Sequence, residues 1–318
     1  MKSSSRTGLL AGVDIGGTKT AVVFGMEDRV EWRREFATEP SRGPQHALDQ
    51  IVHLLHQGIE ERSAPAAIGV SCGGPLDHKK GIILSPPNLP GWDAIEITGL
   101  LEREFNIPCR LENDANAGAM AEHRYGAGQG CKHILFLTMG TGLGAGLILN
   151  NEIFYGATAM AGEIGHVRLS ASGPMGYGKQ GSVEGWASGG GMAQHGAETV
   201  RRAISEGEHT SLATSLDTLT ARDIGNAIQK GDAVAKRIVQ QTGERLGDAL
   251  AILVDVLNPE RIIVGGLALR LGEDLLRPAR ERLREEALAD SVAACTIVPA
   301  KLGASIGDIA ALCVAAAL

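Results

Sequence analysis

The chain is poor in aromatic residues, in clustered positive charge and in long apolar runs. Aromatic side chains make up 3% of the 318 residues, too few to build the stacking surfaces that bind single-stranded nucleic acid. The net charge is −7 and lysine and arginine form no long run, so neither nucleic acid nor an anionic membrane is an expected partner. No apolar run is long enough to span a bilayer.

Cysteine is also scarce, and its spacing is irregular. The five cysteines are odd in number and mostly lie in apolar segments: Cys72, Cys109, Cys131, Cys295 and Cys313. This pattern argues against a disulfide framework and favours reduced thiols. The apolar stretch near the start is ended by Asp14 and the glycines after it, too early for a signal-peptide core. We therefore expect a cytoplasmic protein.

The sequence does contain three glycine-bearing segments, at residues 14–20, 139–144 and 263–266. Each follows a run typical of a buried strand, at residues 9–13, 133–138 and 261–264. Glycine at a strand end lets backbone N–H groups approach an anion without a side chain in the way. One such loop is weak evidence. Three, of which the first opens with an acid suited to a hard cation, suggest a nucleotide triphosphate held between two lobes, and hence phosphoryl transfer.

The first glycine segment is predicted to join two strands. Residues 20–24 are apolar and β-branched, which favours a hairpin, whereas the Walker and Rossmann loops need a helix at the glycines. The same pattern recurs over residues 133–151. We therefore predict an α/β fold of two lobes with a duplicated βββαβα architecture and a central cleft. The expected lobes are residues 1–112 plus 304–318, and residues 113–303.

Two later helices are predicted from pattern. Apolar residues at helical spacing over residues 233–257 are followed by Asn258 and Pro259, which end a helix. The small, apolar residues at 305–318 predict a buried last helix.

Asp14 is the first candidate for chemistry. It ends a buried strand just before Gly16 and Gly17, where it is placed to hold Mg²⁺, directly or through water, beside phosphates. The alternative is that Asp14 only caps the turn. Thr18 and Lys19 add donors, although a lone lysine is more often a solvated charge.

A second candidate lies at a predicted strand-to-helix corner. Asn113, Asp114 and Asn116 follow an apolar strand and open a helix of small residues. In kinases an aspartate accepts the proton of the attacking hydroxyl while amides orient it. Asp and Asn are also the favoured N-cap residues, so one of them need only cap the helix. Three exceed that need.

A third set combines carboxylates with an imidazole. Glu163 and His166 lie among glycines, and Glu184 follows further along the chain. Together they form a plausible hydrogen-bonding set for sugar hydroxyls, which need both donors and acceptors. His166 taken alone is more typical of a satisfied loop histidine.

Two further loops give weaker signals. Gly74 lies in a turn after a strand, where it could contact a ligand. Asn88 lies in a loop stiffened by three prolines. Trp92, at the end of that loop, is more typical of core packing.

Together these motifs resemble those of the ROK family (repressors, open reading frames and kinases) within the sugar-kinase, Hsp70 and actin superfamily. They occur in the family's order and cover nearly the whole chain, at residues 14–20, 73–77, 88–92, 112–118, 138–146, 162–166, 184 and 263–266. The resemblance implies an ATP-dependent hexose kinase that uses Mg²⁺. It also implies two actin-like lobes that close on the sugar, and a homodimer.

The resemblance also implies roles for individual residues. Asp114 would be the general base that removes the proton of the sugar 6-hydroxyl. The sugar would be held by Asn88, Asn113, Asp114, Glu163, His166 and Glu184, with Gly74 beside it. The phosphates would face Gly16, Gly17, Thr18, Gly140, Thr141 and Gly142. The adenosine would lie at Gly265 and Gly266.

One segment departs from the family pattern. Most ROK kinases carry three zinc-binding cysteines shortly after the histidine. Here Met175, Tyr177 and Ser182 stand at those positions when the motif is aligned on Glu184. A thioether, a phenol and a hydroxyl cannot supply three thiolates, so no structural Zn²⁺ is expected. His166 would instead be positioned by packing of Met175 and Tyr177.

Several alternatives stay open at this point. The sugar is expected to be glucose or a related hexose, with N-acetylmannosamine, N-acetylglucosamine or fructose as alternatives that sequence does not separate. Polyphosphate is not excluded as the donor. A non-catalytic sugar-sensing ROK protein is the competing class, but about seven residues precede the first strand, too few for a DNA-binding region.

Overall fold

The computed structural model describes residues 8–318. The expectation that the segment ahead of the first strand is too short for a DNA-binding region concerns residues 1–7, which lie outside the described residues. The described chain divides into two compact units. The first unit runs to Tyr125 and includes Ala304–Leu318, and the second unit is Gly126–Gly303. No helix within residues 8–318 combines the length and the apolar character needed to cross a membrane.

From residue 8 onward, the first unit opens with eight strands and three helices. The strands are β1 Leu10–Ile15, β2 Lys19–Met26, β3 Arg29–Ala37, β4 Ile68–Cys72, β5 Leu76–Asp77, β6 Ile82–Ile83, β7 Ile95–Glu96 and β8 Cys109–Asn113. The helices are α1 Pro44–Glu61, α2 Ile97–Phe105 and α3 Asp114–Tyr125.

The second unit contains seven strands and seven helices. The strands are β9 Ile134–Met139, β10 Leu143–Leu149, β11 Glu152–Ile153, β12 Met175–Gly176, β13 Lys179–Gln180, β14 Arg261–Val264 and β15 Thr296–Pro299. The helices are α4 Val183–Ala187, α5 Gly189–Ser205, α6 Ala221–Gln229, α7 Ala233–Leu257, α8 Leu267–Leu271, α9 Glu273–Glu286 and α10 Ala289–Ala294. The last helix, α11 Ile306–Ala316, belongs to the first unit.

Each unit is built on a five-stranded sheet of the same topology. The order is β3-β2-β1-β4-β8 in the first unit and β11-β10-β9-β14-β15 in the second. In each sheet, the three strands that come first in sequence pair antiparallel with one another. The remaining two strands of each sheet run parallel to the first of these three. The predicted duplication is therefore confirmed, and in each unit a glycine turn joins the first two strands.

Helix α11 packs directly against the sheet of the first unit. Gly12 on β1 faces Ala311, and a Cβ at position 12 would come within 2.8 Å of the Ala311 Cβ. Gly69 on β4 likewise leaves room for the backbone of α11. All residues of α11 from Asp308 to Ala316 are buried, so burial of this apolar helix accounts for much of the core on that side.

The division between the units lies further along the chain than predicted. The expected boundary followed residue 112, whereas α3 groups with the first unit and the division follows Tyr125. The reason is that α3 packs against α11, which is nearly two hundred residues away in sequence. A contact of that kind leaves no local sequence signal.

Candidate active site

The β1–β2 turn carries the first glycine loop. The Gly16 N–H donates to the Lys19 carbonyl at 3.0 Å, and Thr38 donates from its hydroxyl to the Gly16 carbonyl at 2.6 Å. The Gly16 amide is thus used inside the turn, and Gly17 and Thr18 are the residues that carry the loop's tip. Lys19 is exposed and forms an ion pair with Glu35 at 3.3 Å.

Asp14 lies at the end of β1 in a strongly acidic environment. Burial, followed by the nearby carboxylates of Asp114 and Asp308, raises the pKa of Asp14 to about 6, although a Ser71 hydrogen bond and the charge of Lys19 act the other way. Asp14 thus supplies one buried carboxylate beside the first glycine turn, an oxygen ligand of the kind that a hard divalent cation such as Mg²⁺ prefers.

Asn113 and Asp114 lie where β8 ends and α3 begins. The Asn113 Oδ1 accepts from the N–H groups of Ala115 at 3.0 Å and Asn116 at 3.3 Å, so Asn113 caps α3. Asn116 turns inward, and its Nδ2 donates to buried Glu112 at 3.1 Å. Asn116 therefore has a structural role. The Nδ2 of Asn113 takes no part in capping the helix.

Asp114 projects from this corner with one oxygen engaged. The Ala115 N–H donates to Oδ1 at 2.8 Å, while Oδ2 lies next to Gly73, where a Cβ would be 4.0 Å away. The side chain is exposed at the surface, yet the protein atoms crowded behind it desolvate the carboxylate and raise the pKa of Asp114. Gly74 lies next to Asn113, since a Cβ there would be 3.4 Å from Nδ2.

The Asn88 loop reaches the same region of the first unit. A Cβ on Gly17 would come within 2.7 Å of the Asn88 Cβ, so the first glycine turn and Asn88 are in direct contact. The loop is closed by backbone bonds from Ser85 to Trp92 at 2.9 Å and from Leu89 to Pro86 at 2.8 Å. Trp92 is fully buried, which confirms its predicted role in the core.

The equivalent turn of the second unit, Gly140 to Gly142, is fixed by a hydrogen bond within the turn and by two hydrogen bonds from the start of α5. Its first amide closes the turn, because the Gly140 N–H donates to the Gly142 carbonyl at 3.0 Å. The N–H groups of Gly189 and Gly190, at the start of α5, donate to the carbonyls of Gly140 at 2.8 Å and Thr141 at 3.2 Å.

Ser188 and the three glycines after it were missed by the sequence reasoning. Ser188 is the N-cap of α5, with its hydroxyl accepting from the Gly191 N–H at 3.0 Å. A serine before three glycines is typical of a linker. An available signal was the amphipathic run that follows it, which marks Ser188 as a cap.

Glu184 is fixed by the same glycine turn. The Leu143 N–H donates to Glu184 Oε2 at 3.0 Å, and a Cβ on Gly142 would lie 2.6 Å from that oxygen. Helix α4 is capped by Ser182, whose hydroxyl accepts from the Gly185 N–H at 3.1 Å. A predicted sugar ligand and a predicted phosphate loop are therefore in direct contact within the second unit.

Glu163 and His166 lie on a short 3₁₀ turn of the same unit. Their side chains approach to 4.0 Å between Glu163 Oε2 and His166 Nε2. The Tyr177 and His166 rings pack edge to face with centroids 4.8 Å apart, and Lys179 donates to the His166 carbonyl at 2.7 Å. Of the two residues expected to position His166, Met175 and Tyr177, the contact shown is that of Tyr177.

The segment that departs from the family pattern is a β-hairpin. Strands β12 and β13 flank Tyr177 and Gly178, both of which have positive φ, as a two-residue hairpin turn requires. Gln194 anchors the hairpin through two bonds to the Met175 backbone, at 3.0 and 2.8 Å. Within residues 8–318, no three His, Cys, Asp or Glu side chains are grouped to hold a metal ion.

Gly265 and Gly266 follow β14 in the second unit. Gly266 has a φ of 58°, and a Cβ there would collide with the Met139 carbonyl. Gly265 donates its N–H to the Leu137 carbonyl at 2.9 Å. The predicted adenosine segment and the Gly140–Gly142 turn therefore meet through Met139.

The predicted residues thus form two groups, one in each unit. The first contains Asp14, Gly16, Gly17, Thr18, Gly74, Asn88, Asn113 and Asp114, with Lys19 at its exposed edge. The second contains Gly140, Thr141, Gly142, Glu184, Gly265 and Gly266, with Glu163 and His166 on the 3₁₀ turn of the same unit. Each group lies where a glycine turn joins the first two strands of its sheet.

Comparison with known proteins identifies the class of fold. A ROK family glucokinase from Streptomyces griseus, solved with glucose and AMPPNP, superposes with a TM-score of 0.82 and 31% identity, over 97% of this chain and 99% of that one. The fold is the actin-like ATPase fold of the ROK sugar kinases. The ROK family profile matches residues 10–317, and the chain belongs to that family.

The sequence relatives include both glucokinases and xylose repressors. A glucokinase from Halalkalibacterium halodurans is 33% identical over 287 residues, covering 87% of this chain and 86% of the relative. A xylose repressor from Caldicellulosiruptor bescii is 29% identical over 248 residues, covering 74% of this chain and 61% of the repressor.

Proposed function

We propose that the protein is an ATP-dependent hexose kinase that phosphorylates the 6-hydroxyl of glucose or a related hexose. The observation that carries this proposal is the β8–α3 corner, where Asp114 presents one carboxylate oxygen beside Gly73 and the Asn113 amide nitrogen lies beside Gly74. Similarity to glucokinases supports the same class of activity. All five cysteines are buried thiols outside any disulfide, which supports a reducing, cytoplasmic setting, and the homodimer stays a prediction.

In the proposed reaction the sugar oxygen attacks the γ-phosphorus while Asp114 accepts the hydroxyl proton and ADP leaves. Desolvation by the protein atoms behind it raises the pKa of Asp114 and makes this carboxylate a stronger base. The predicted ligands of the sugar hydroxyls are Gly74, Asn88, Asn113, Glu163, His166 and Glu184.

The nucleotide would be held by the glycine turns. Gly16, Gly17 and Thr18, together with Gly140, Thr141 and Gly142, would face the phosphates, Lys19 would add positive charge at the edge, and Gly265 with Gly266 would face the adenosine. Asp14 would hold Mg²⁺, directly or through water, and the bound ion would neutralise phosphate charge.

The test is ADP release from Mg-ATP over glucose, mannose, fructose, N-acetylglucosamine and N-acetylmannosamine. We expect sugar-dependent turnover, highest with glucose. A repeat with polyphosphate in place of ATP identifies the donor.

The similarity to a xylose repressor favours a second candidate, a sugar-sensing protein without catalysis. It would bind sugar in a calorimeter but release no ADP with any member of the panel. That result would overturn the kinase proposal and support the sensor.

A further inference from the structure

The two oxygens of Glu184 have different environments. Oε2 accepts the Leu143 N–H at 3.0 Å, directly after the Gly140–Gly142 turn. Within residues 8–318, Oε1 has no hydrogen-bond partner, and the side chain is partly exposed. One carboxylate therefore anchors the turn while keeping an acceptor for a ligand.

The surroundings keep this contact close. Gly142 has no side chain, and a Cβ there would come within 2.6 Å of Oε2. On the other side, a Cβ on Gly165 would be 3.4 Å from the Glu184 Cβ. The Ser182 cap fixes the start of the short helix that carries Glu184. Movement of the Glu184 carboxylate and movement of the turn are consequently linked.

We propose that Glu184 couples the two substrates, so that sugar bound at Oε1 improves nucleotide binding at the Gly140–Gly142 turn. This inference rests on the proposed function. A sugar hydroxyl that donates to Oε1 disperses part of the negative charge that otherwise repels the phosphates, while Oε2 keeps the turn in place. Because binding couplings are reciprocal, the nucleotide improves sugar binding by the same factor.

Two substitutions of Glu184 distinguish its role as an anchor from the role of its charge. Glu184→Ala removes both the charge and the anchor for the Leu143 N–H, so its nucleotide affinity without sugar should be about tenfold below that of Glu184→Gln, as for loss of a hydrogen bond. Glu184→Gln keeps an oxygen that accepts from Leu143 but removes the charge, so nucleotide affinity without sugar should equal or exceed that of the wild type. Both variants should lose most of the coupling.

The measurement is calorimetric titration with Mg-AMPPNP, with and without saturating glucose. We expect glucose to tighten nucleotide binding to the wild type by at least about fivefold, the lower end of typical couplings. In Glu184→Ala and Glu184→Gln the ratio of the two affinities should approach one. A general loss of structure would lower both affinities and the melting temperature together, without this pattern.

Glu208→Ala is the matched control. It removes a carboxylate of the same unit that lies outside the predicted sugar and nucleotide sites and forms an exposed ion pair with Arg237 at 2.8 Å. Nucleotide affinity, and its increase with glucose, should therefore stay at the wild-type values.

Three outcomes would overturn the inference. Without sugar, a nucleotide affinity in Glu184→Ala equal to that in Glu184→Gln would remove the anchoring role. Undiminished coupling in Glu184→Gln would remove the role of the Glu184 charge. If the alanine variant does not fold, the glutamine variant alone decides whether Glu184 couples the two substrates. Absence of nucleotide binding by the wild type would instead overturn the proposed function itself, and this inference with it.

Discussion

At the end of β8, adjacent side chains perform different tasks. Asn113 Oδ1 caps α3 by accepting the N–H groups of Ala115 and Asn116, whereas Asp114 keeps Oδ2 outside these bonds and beside Gly73. This division leaves one carboxylate oxygen and one amide nitrogen at the same corner. Capping by Asn113 thus leaves Asp114 available for its proposed role as the base.

Gly17 provides a test of the contact between the phosphate turn and the sugar loop. In Gly17→Ala the new Cβ would lie 2.7 Å from the Asn88 Cβ and 2.8 Å from its carbonyl oxygen, so the Asn88 backbone must shift. We expect kcat/KM for the sugar to fall at least about tenfold, because displacement of a positioning group by about 1 Å is costly. Steady-state kinetics with varied sugar and varied ATP measure the loss.

Gly99→Ala is the control for that substitution. Its Cβ would meet mainly the flexible end of Arg103, at 3.2 Å, within helix α2. Kinetics should be unchanged. Equal kinetic losses in the two variants would contradict the proposed contact.

His195 should make stability depend on pH. It is buried, its Nε2 lies 2.9 Å from the Thr242 hydroxyl, and its Nδ1 has no partner within the described chain. Burial lowers the pKa of His195 from 6.5 to about 4. The unfolded chain therefore binds more protons between these values, and stability should fall by about 3 kcal/mol as the pH drops from 6.5 to 4.

His195→Gln removes this titration. We expect urea unfolding at several pH values to show that the wild type loses free energy of unfolding, relative to the variant, as the pH falls from 6.5 to about 4. A constant difference across that range would show that His195 does not contribute.

At the scale of the elements, two glycines allow α7 and α9 to pack closely. A Cβ on Gly243 would come within 2.6 Å of the Leu275 carbonyl, and one on Gly247 within 2.6 Å of the Ala279 carbonyl. Gly247→Ala must push the helices apart, so we expect it to destabilise the protein by about 1–3 kcal/mol. Denaturant unfolding provides the measurement.

The matched control is Gly225→Ala in α6. There a Cβ would make ordinary contacts of 3.4–3.8 Å, chiefly with Arg270, so alanine should be neutral or stabilising by up to about 1 kcal/mol. A destabilisation of Gly247→Ala no larger than that of Gly225→Ala would contradict the close-packing account.

Local sequence patterns predicted the elements well. Helix α7 and strand β14 have the expected bounds, because Asn258 and Pro259 end the first and the apolar residues 262–264 form the second. The hairpins at both glycine turns and the β8–α3 corner also follow from short-range pattern. These features depend on residues close together in the chain.

The remaining features depend on residues far apart. Glu184 and Leu143 are bonded across 41 positions, and α3 joins the first unit through α11. No periodicity or turn signal records such contacts. The Ser188 cap is different, because its signal was present and is hidden by the glycines around it.

At the scale of the whole molecule, the hairpin at residues 175–180 predicts how much zinc the purified protein contains. Met175, Tyr177 and Ser182 occupy the positions of the family's cysteines, and Gln194 and Tyr177 provide contacts of other kinds. We therefore expect less than stoichiometric zinc in purified protein. Elemental analysis giving one zinc per chain, retained through gel filtration, would contradict this.

The most direct test of the account is the turnover of Asp114→Asn beside the wild type, with the best sugar of the panel. Asparagine keeps an oxygen for the Ala115 N–H and preserves the corner, but it cannot accept the hydroxyl proton. We expect kcat to fall by about 10²–10⁴-fold, while calorimetric sugar affinity stays within a few-fold of the wild type. Turnover in Asp114→Asn equal to that of the wild type would contradict the assignment of Asp114 as the base.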